Sequence, residues 1–274
     1  MKVLNGAELA DYIKERQARQ VRALRQAWGI APRLAIIQTV DSPVIDTYVR
    51  LKKRYADDIL VDVDVHRVTE DEALTLIDSL NADTAVHGVI VQLPLQDVSR
   101  TDELLERVAP EKDVDALGSR ATLDPATPMA ISWLLAGYNV ELKAKKIVIV
   151  GEGRLVGAPL ARMWRDSGYD VTVLGRGDDL TAAIQDADIV VSAAGSPGLI
   201  TSDMLRPDMV VVDAATASEG GKIVGDVAAS VRERHDLTIT PEKGGVGPLT
   251  ICALFDNVIR AARVVATEQD LASS

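Results

Sequence analysis

Tyr48 and Lys52 stand four residues apart in a stretch with helical periodicity, so their side chains share one helix face. A lysine amine kept neutral accepts a proton, and a tyrosine hydroxyl beside it orients the amine or a substrate. Arg50 and Lys53 are close in sequence, and like-charge repulsion together with burial would lower the pKa of Lys52. The plainer reading of the pair, taken alone, is a solvated helix surface. Gln92 ends a Val-rich strand, the place where open parallel sheets meet ligands. Its amide both donates and accepts, which suits joining a lysine amine to a ring carbonyl, although by itself Gln92 marks an ordinary strand exit. Lys112-Asp113-Val114-Asp115 puts two carboxylates on opposite sides of an extended segment. One is expected to face solvent, with Lys112 pairing with its neighbour. The other is expected to accept hydrogen bonds from amino and ring N–H groups of a ligand.

Two glycine turns point to ligands as well. Pro241-Glu242-Lys243-Gly244-Gly245-Val246-Gly247-Pro248-Leu249-Thr250 is a rigid turn that opens an apolar helix, a costly arrangement unless something approaches the backbone closely. Gly151-Glu152-Gly153-Arg154-Leu155-Val156-Gly157 follows a strand and precedes a helix, whose first amides would cradle a phosphate. Glu152 is discordant, because a carboxylate beside phosphates repels them. About 20 residues further on, dinucleotide folds carry an acid at a strand end; here stand Leu174, Gly175 and Arg176. Arg176 favours a 2′-phosphate if it points inward and is an ordinary loop residue if it points to solvent.

The elements that must hold these groups alternate between strand and helix, which gives parallel α/β layers. An amphipathic helix is expected from Ala7 to Trp28, a buried strand from Arg33 to Thr39, a helix from about Val44 to Asp58, and a strand at Val61–His66 with one wet face. Thr69 with Glu72 reads as a capping box for a helix to about Leu80, followed by a strand at Val86–Val91. Asp115 to Ala126 is irregular and reads as a hinge. Thr127 then N-caps a helix with Pro128 at its first position. Strands follow at Lys145–Val150, Asp170–Leu174, Ile189–Ala193 and Met209–Asp213, as in a Rossmann unit, and one long helix closes the chain from Gly247 to Ala266. The expected division is a catalytic domain of residues 1–120 plus the helix at 250–270, and a dinucleotide-binding domain of residues 121–249.

Composition narrows the class. In 274 residues, 47% are hydrophobic but only 3% aromatic, so cores are built from Val, Ile, Leu and Ala, which suits sheets covered by helices. A net charge of −11 argues against a nucleic-acid partner. Cys252 is the one cysteine and His66, His87 and His235 are scattered, so no metal site is expected. The charged first 30 residues do not read as a signal peptide, and no stretch is apolar enough to span a membrane. A cytoplasmic enzyme is the expectation.

Taken together, the chain resembles the bifunctional methylenetetrahydrofolate dehydrogenase/methenyltetrahydrofolate cyclohydrolase family. The resemblance rests on Tyr48-Val49 with Lys52, Gly88 to Leu95, Pro110 to Asp115, Pro125 to Pro128, Val156-Gly157-Ala158-Pro159, Gly225-Asp226-Val227 and Gly244 to Thr250, in matching order and spacing. It implies an N-terminal folate lobe, a C-terminal Rossmann-type NAD(P) lobe, a cleft between them, a last helix that packs back on the first lobe, and a homodimer. It implies Lys52 as principal catalytic group with Tyr48 as partner, Gln92 tuning the lysine, and Asp115 binding the pterin. Val91, Leu93, Gly244, Gly245, Val246, Gly247, Pro248 and Thr250 are implied contacts of the folate substrate. Thr127, Gly151, Glu152, Gly153, Gly157, Arg176 and Thr216 are implied contacts of the cofactor, NADP with NAD possible.

The chain departs from the family pattern where Ala126 replaces a cysteine, Glu152-Gly153 replaces Arg-Ser, Glu242-Lys243 replaces Val-Pro, and Ala116 replaces a glycine. The expected activity is oxidation of 5,10-methylenetetrahydrofolate and hydrolysis of the product to 10-formyltetrahydrofolate. A cyclohydrolase with weak or absent dehydrogenase activity is the alternative that Glu152 raises. A folate- or nucleotide-binding regulator and an unrelated hydroxy-acid dehydrogenase explain fewer of these residues.

Overall fold

The computed structural model describes residues 2–215, 217–219 and 222–272. In chain order the elements are β1 (Lys2–Val3), α1 (Gly6–Trp28), β2 (Arg33–Gln38), α2 (Pro43–Ile59), β3 (Asp62–Arg67), α3 (Glu70–Ala82), β4 (Gly88–Gln92) and α4 (Thr101–Arg107). They continue with α5 (Ala126–Gly137), β5 (Lys146–Val150), α6 (Gly157–Asp166), β6 (Asp170–Leu174), α7 (Leu180–Asp186), β7 (Ile189–Ser192) and β8 (Val210–Asp213). A short hairpin follows, β9 (Ala217–Glu219) with β10 (Lys222–Val224), then α8 (Ala229–Arg232), β11 (Thr238–Ile239) and α9 (Val246–Ala272).

The chain forms two compact α/β units. One joins Asp11–Ala126 to the chain from Ile251 onward, and the other joins the residues up to Ala10 to Thr127–Thr250. This differs from the expected division in that the first ten residues belong with the dinucleotide-type unit. The cause is a ladder invisible to periodicity: β1 pairs in parallel with β11, Lys2 opposite Thr238 and Val3 opposite Ile239.

The first unit carries a parallel sheet in the order β3-β2-β4. Central β2 reads Arg-Leu-Ala-Ile-Ile-Gln and is buried from Leu34 onward, whereas edge strand β3 lacks the expected alternation: Asp64 and Arg67 are exposed, and Asp62, Val63, Val65 and His66 are all half-buried. The capping box forms: the Thr69 hydroxyl accepts from the Glu72 amide, and the Glu72 carboxylate accepts from the Thr69 amide at 2.9 Å. The last helix packs on this unit. Gln17 of α1 donates to the Cys252 carbonyl at 2.8 Å, and Tyr55 of α2 stacks on Phe255 with ring centroids 5.4 Å apart.

The second unit has a six-stranded parallel sheet in the order β1-β11-β8-β7-β5-β6. After α5 the chain enters this sheet at β5, steps to β6 on one side and crosses to β7 on the other, so the switch point lies at the carboxyl end of β5. Its core is aliphatic, with Ile184, Val190, Ile200 and Val211 fully buried. Helix α5 begins at Ala126, so Thr127 lies within the first turn rather than at the cap. The two-residue strands and the short helices α4 and α7 are elements that hydrophobic periodicity does not mark.

Candidate active site

Lys52 is carried on α2, which leaves the carboxyl end of β2, the switch point of the three-stranded sheet. Pro43 supplies the first helical position, and Leu60 in the left-handed region (φ 65°) ends the helix. Gln92 is the last residue of β4 and lies in register with Gln38 at the end of β2. The Lys52 Nζ donates to Gln92 Oε1 at 2.7 Å, while Gln92 Nε2 donates to the Leu93 carbonyl at 3.1 Å. The amide is thereby locked with its oxygen toward the amine. The donor that was expected to reach a ring carbonyl is engaged by its own backbone neighbour.

Withdrawal of the Lys52 amine from water pushes its pKa below the ordinary lysine value, and the charge of Asp115 pushes it partly back. Burial likewise raises the pKa of Asp115, with Lys52 opposing. Arg50 and Lys53, the expected source of repulsion, instead line a groove with Arg54, Asp57 and Arg67 on the outer side of α2. Desolvation does the work assigned to like charges. Tyr48 is half-buried one turn before Lys52.

Each residue of Lys112-Asp113-Val114-Asp115 has a separate task. Lys112 Nζ donates to the carbonyls of Leu80, Asn81 and Asp83 at 2.8, 2.8 and 2.7 Å, closing the end of α3 rather than pairing with a neighbouring acid. Asp113 was a candidate for the solvent-facing acid, but it is buried and accepts from the Gly118 amide at 2.8 Å; its pKa is pushed up to about 6, mainly by burial. Val114 is fully buried against Gly88, where a Cβ would fall 2.8 Å from Val114 Cγ1. Val89 donates to the Lys112 carbonyl at 2.8 Å, so the segment runs alongside β4 and brings Asp115 to the end of the sheet where Lys52 and Gln92 meet.

Asn257 on α9 completes this arrangement and was not singled out from sequence. It is fully buried, and its Nδ2 donates to the carbonyls of Val114 at 2.9 Å and Asp124 at 2.8 Å. An amide within the apolar run Leu254-Phe255-Asp256-Asn257-Val258-Ile259 is the signal that marks it. Val91 is buried in the aliphatic core with Ile77 and Leu104, and Leu93 packs against the same cluster. Val91 is left with its backbone to meet a ligand, whereas Leu93 is half-buried.

In the other unit, part of the glycine demand in the Gly244–Thr250 turn is met inside the chain. Gly244 has φ +81° and its carbonyl accepts from the Ala7 amide at 2.9 Å; a Cβ on Gly6 would fall 1.9 Å from the Gly245 carbonyl oxygen. Gly245 and Val246 are buried, and α9 starts at Val246, a residue earlier than Gly247. Gly247 is exposed, and a Cβ there would touch nothing within 4 Å, so packing places no demand on it. Pro248 is half-buried, and Thr250 Oγ1 lies 3.5 Å from Thr127 Oγ1.

The residues after β5 fit a dinucleotide. Gly151 has φ +100° and would clash with the Ala193 carbonyl through any Cβ, at 2.6 Å; a Cβ on Gly157 would fall 1.8 Å from the Gly151 carbonyl oxygen. The helix therefore starts directly against the strand-end turn, as phosphate-binding turns require. It begins at Gly157, with Gly151–Val156 as loop before it, and no side chain caps it. Gly153 is exposed, as is Arg176 beyond the end of β6. The neighbouring loop is held by fully buried Asp226, which accepts from Ser192 Oγ at 2.6 Å and from the amides of Ala194 and Ser196 at 2.8 and 2.6 Å. Asp213 in turn accepts from the amides of Asp226 and Val227 and from Arg232. Thr216 lies outside the described residues.

A doubly wound sheet with a glycine-lined phosphate turn, in one chain with a parallel α/β unit holding a desolvated lysine against a glutamine, defines a dinucleotide-dependent enzyme with a separate acid–base centre. The model of the tetrahydrofolate dehydrogenase/cyclohydrolase catalytic domain matches residues 4–115, and that of the NAD(P)-binding domain of the same proteins matches residues 125–266. The chain is 37% identical to the bifunctional protein FolD of Lactobacillus acidophilus over 96% of its own length and 97% of the relative's. The crystal structure of the bifunctional enzyme FolD of Campylobacter jejuni is 35% identical, with a TM-score of 0.90 over 96% of this chain and 99% of that one. FolD of Trypanosoma brucei, solved with NADP and an inhibitor, is 29% identical, with a TM-score of 0.90 over 96% and 97% of the two chains. The chain belongs to the tetrahydrofolate dehydrogenase/cyclohydrolase family.

Proposed function

We propose that this chain oxidises 5,10-methylenetetrahydrofolate to the 5,10-methenyl cation, with NADP or NAD as hydride acceptor, and hydrolyses that cation to 10-formyltetrahydrofolate. The observation that carries the reading is the desolvated Lys52 amine held 2.7 Å from Gln92 Oε1, with the Asp115 charge acting on it. An amine whose pKa is lowered by burial is neutral over a wider pH range, so it does not repel the cationic methenyl group and is free to take a proton. Water adds to the methenyl carbon and gives one proton to Lys52 Nζ; as the bond from that carbon to N5 breaks, the proton of the resulting hydroxyl ends on N5, leaving the formyl group on N10 and one proton released in total. Gln92 aims the amine. Tyr48, on the same helix face, orients Lys52 or the substrate, and Asp115 accepts hydrogen bonds from the pterin amino and ring N–H groups. The family resemblance assigns the backbones of Val91 and Leu93 and the Gly244–Thr250 turn to folate contacts.

When bound, the dinucleotide supplies the acceptor for the hydride. Gly151, Gly153 and Gly157 with the uncapped start of α6 are the groups for its phosphates, and Thr127 and Arg176 are assigned to it from the same unit. We place the enzyme in the cytoplasm as a homodimer, on the family resemblance. Among the described residues no helix is long and apolar enough to cross a membrane.

A spectrophotometric assay of the purified chain with methylenetetrahydrofolate and each nucleotide in turn tests the reading. Reduced nucleotide and 10-formyltetrahydrofolate should both accumulate. Failure of reduced nucleotide to accumulate with either cofactor would remove the oxidative half.

A further inference from the structure

The Glu152 carboxylate lies against Gly175, just past the carboxyl end of β6. The position that a Cβ on Gly175 would occupy lies 3.1 Å from Glu152 Oε1 and 3.5 Å from its carboxyl carbon. Glu152 therefore reaches from the loop after β5 to the carboxyl end of β6, the neighbouring strand. A second acid stands there. Asp178 Oδ2 accepts from the Gly175 amide at 2.7 Å and lies 3.9 Å from the same Cβ position. Gly175 carries no side chain, so nothing of its own separates the surface above it from these two carboxylates.

In doubly wound dinucleotide folds the end of the second strand meets the adenosine ribose, and a carboxylate there accepts hydrogen bonds from the ribose hydroxyls. This chain lacks an acid at the strand end itself, where Leu174-Gly175-Arg176 stand. We infer that Glu152, supplied from the phosphate loop, takes over that place, and with Asp178 beside it sets the enzyme's preference for the dinucleotide without a 2′-phosphate. The inference rests on the dinucleotide site assigned above and specifies which dinucleotide that site favours. A 2′-phosphate carries about −1.5 to −2 charges at neutral pH, and two carboxylates flanking its position oppose it. A ribose diol gains a charge-assisted acceptor instead. Arg176, next to Gly175, and Arg154, in the loop with Glu152, are the nearest cations in sequence, and both are exposed.

Isothermal titration of the full chain with NAD and with NADP, before and after Glu152→Gln, separates the possibilities. The wild-type chain should bind NAD at least about tenfold more tightly than NADP. Glu152→Gln should strengthen NADP binding about tenfold and weaken NAD binding several-fold. Opposite signs are the signature of a specificity residue, since a variant with a merely damaged loop loses affinity for both. Tighter wild-type binding of NADP, or an unchanged NAD-to-NADP ratio in Glu152→Gln, would overturn the inference and leave the dinucleotide site standing. Failure of the wild-type chain to bind either nucleotide would overturn both.

Discussion

Asn257 Nδ2 donates to the carbonyl of Val114 at 2.9 Å and thereby ties the last helix to the residue preceding Asp115. The same nitrogen reaches the Asp124 carbonyl, so removing it leaves two carbonyls short of a partner. Asn257→Ala should destabilise the chain by about 1–3 kcal/mol, the usual cost of unsatisfied buried polar groups. It should also raise the KM for folate, because Asp115 loses its anchor. Denaturant unfolding and steady-state kinetics check both; unchanged values would show that α9 does not position the acid.

Gln92 accepts from Lys52 as a neutral group. In Gln92→Glu a carboxylate would stand 2.7 Å from the amine and favour its charged form, raising the Lys52 pKa. The pH–rate profile for cyclohydrolase should move its ascending limb to higher pH, with a loss of rate at neutral pH. A profile that stays in place would disconnect Gln92 from the titration.

Asp115→Asn carries the opposite sign. The Asp115 charge raises the Lys52 pKa against the lowering by burial, so its removal lets the amine titrate at lower pH. The ascending limb should shift to more acidic values even as folate binding weakens. An upward shift would contradict the assigned electrostatics.

Ala116 holds φ 54°, in the left-handed region, where the family has glycine. That conformation costs an L residue about 1–2 kcal/mol, partly offset by the greater unfolded freedom of glycine, about 0.5–1 kcal/mol. Ala116→Gly should therefore raise the thermal midpoint by about 1–3 °C. A fall would mean the turn is relaxed as it stands.

Long periodic elements and the positions of Lys52 and Gln92 that let them meet were legible in the sequence. The four-residue spacing of Tyr48 and Lys52, the strand-end position of Gln92 and the Thr69 capping box are local patterns, and each reappears in the fold. Features set by distant partners were not legible. β1 and β11 are two residues long and exist through their pairing. Lys112 and Asp113 carry no mark of the carbonyls and amides they meet, and α5 begins a residue before Thr127, so that side chain is not its cap. The reach of Glu152 to Gly175 depends on β6 lying beside β5, a fact of sheet order rather than of loop composition.

In the hydrolytic step a neutral amine at Lys52 accepts a proton from water. The decisive measurement is hydrolysis of methenyltetrahydrofolate by Lys52→Met, corrected for the spontaneous rate, with nucleotide titration as the check that the chain is folded. The cyclohydrolase rate should fall about 100-fold or more, with dinucleotide binding retained. Hydrolysis at the wild-type rate would remove Lys52 from the proton transfer.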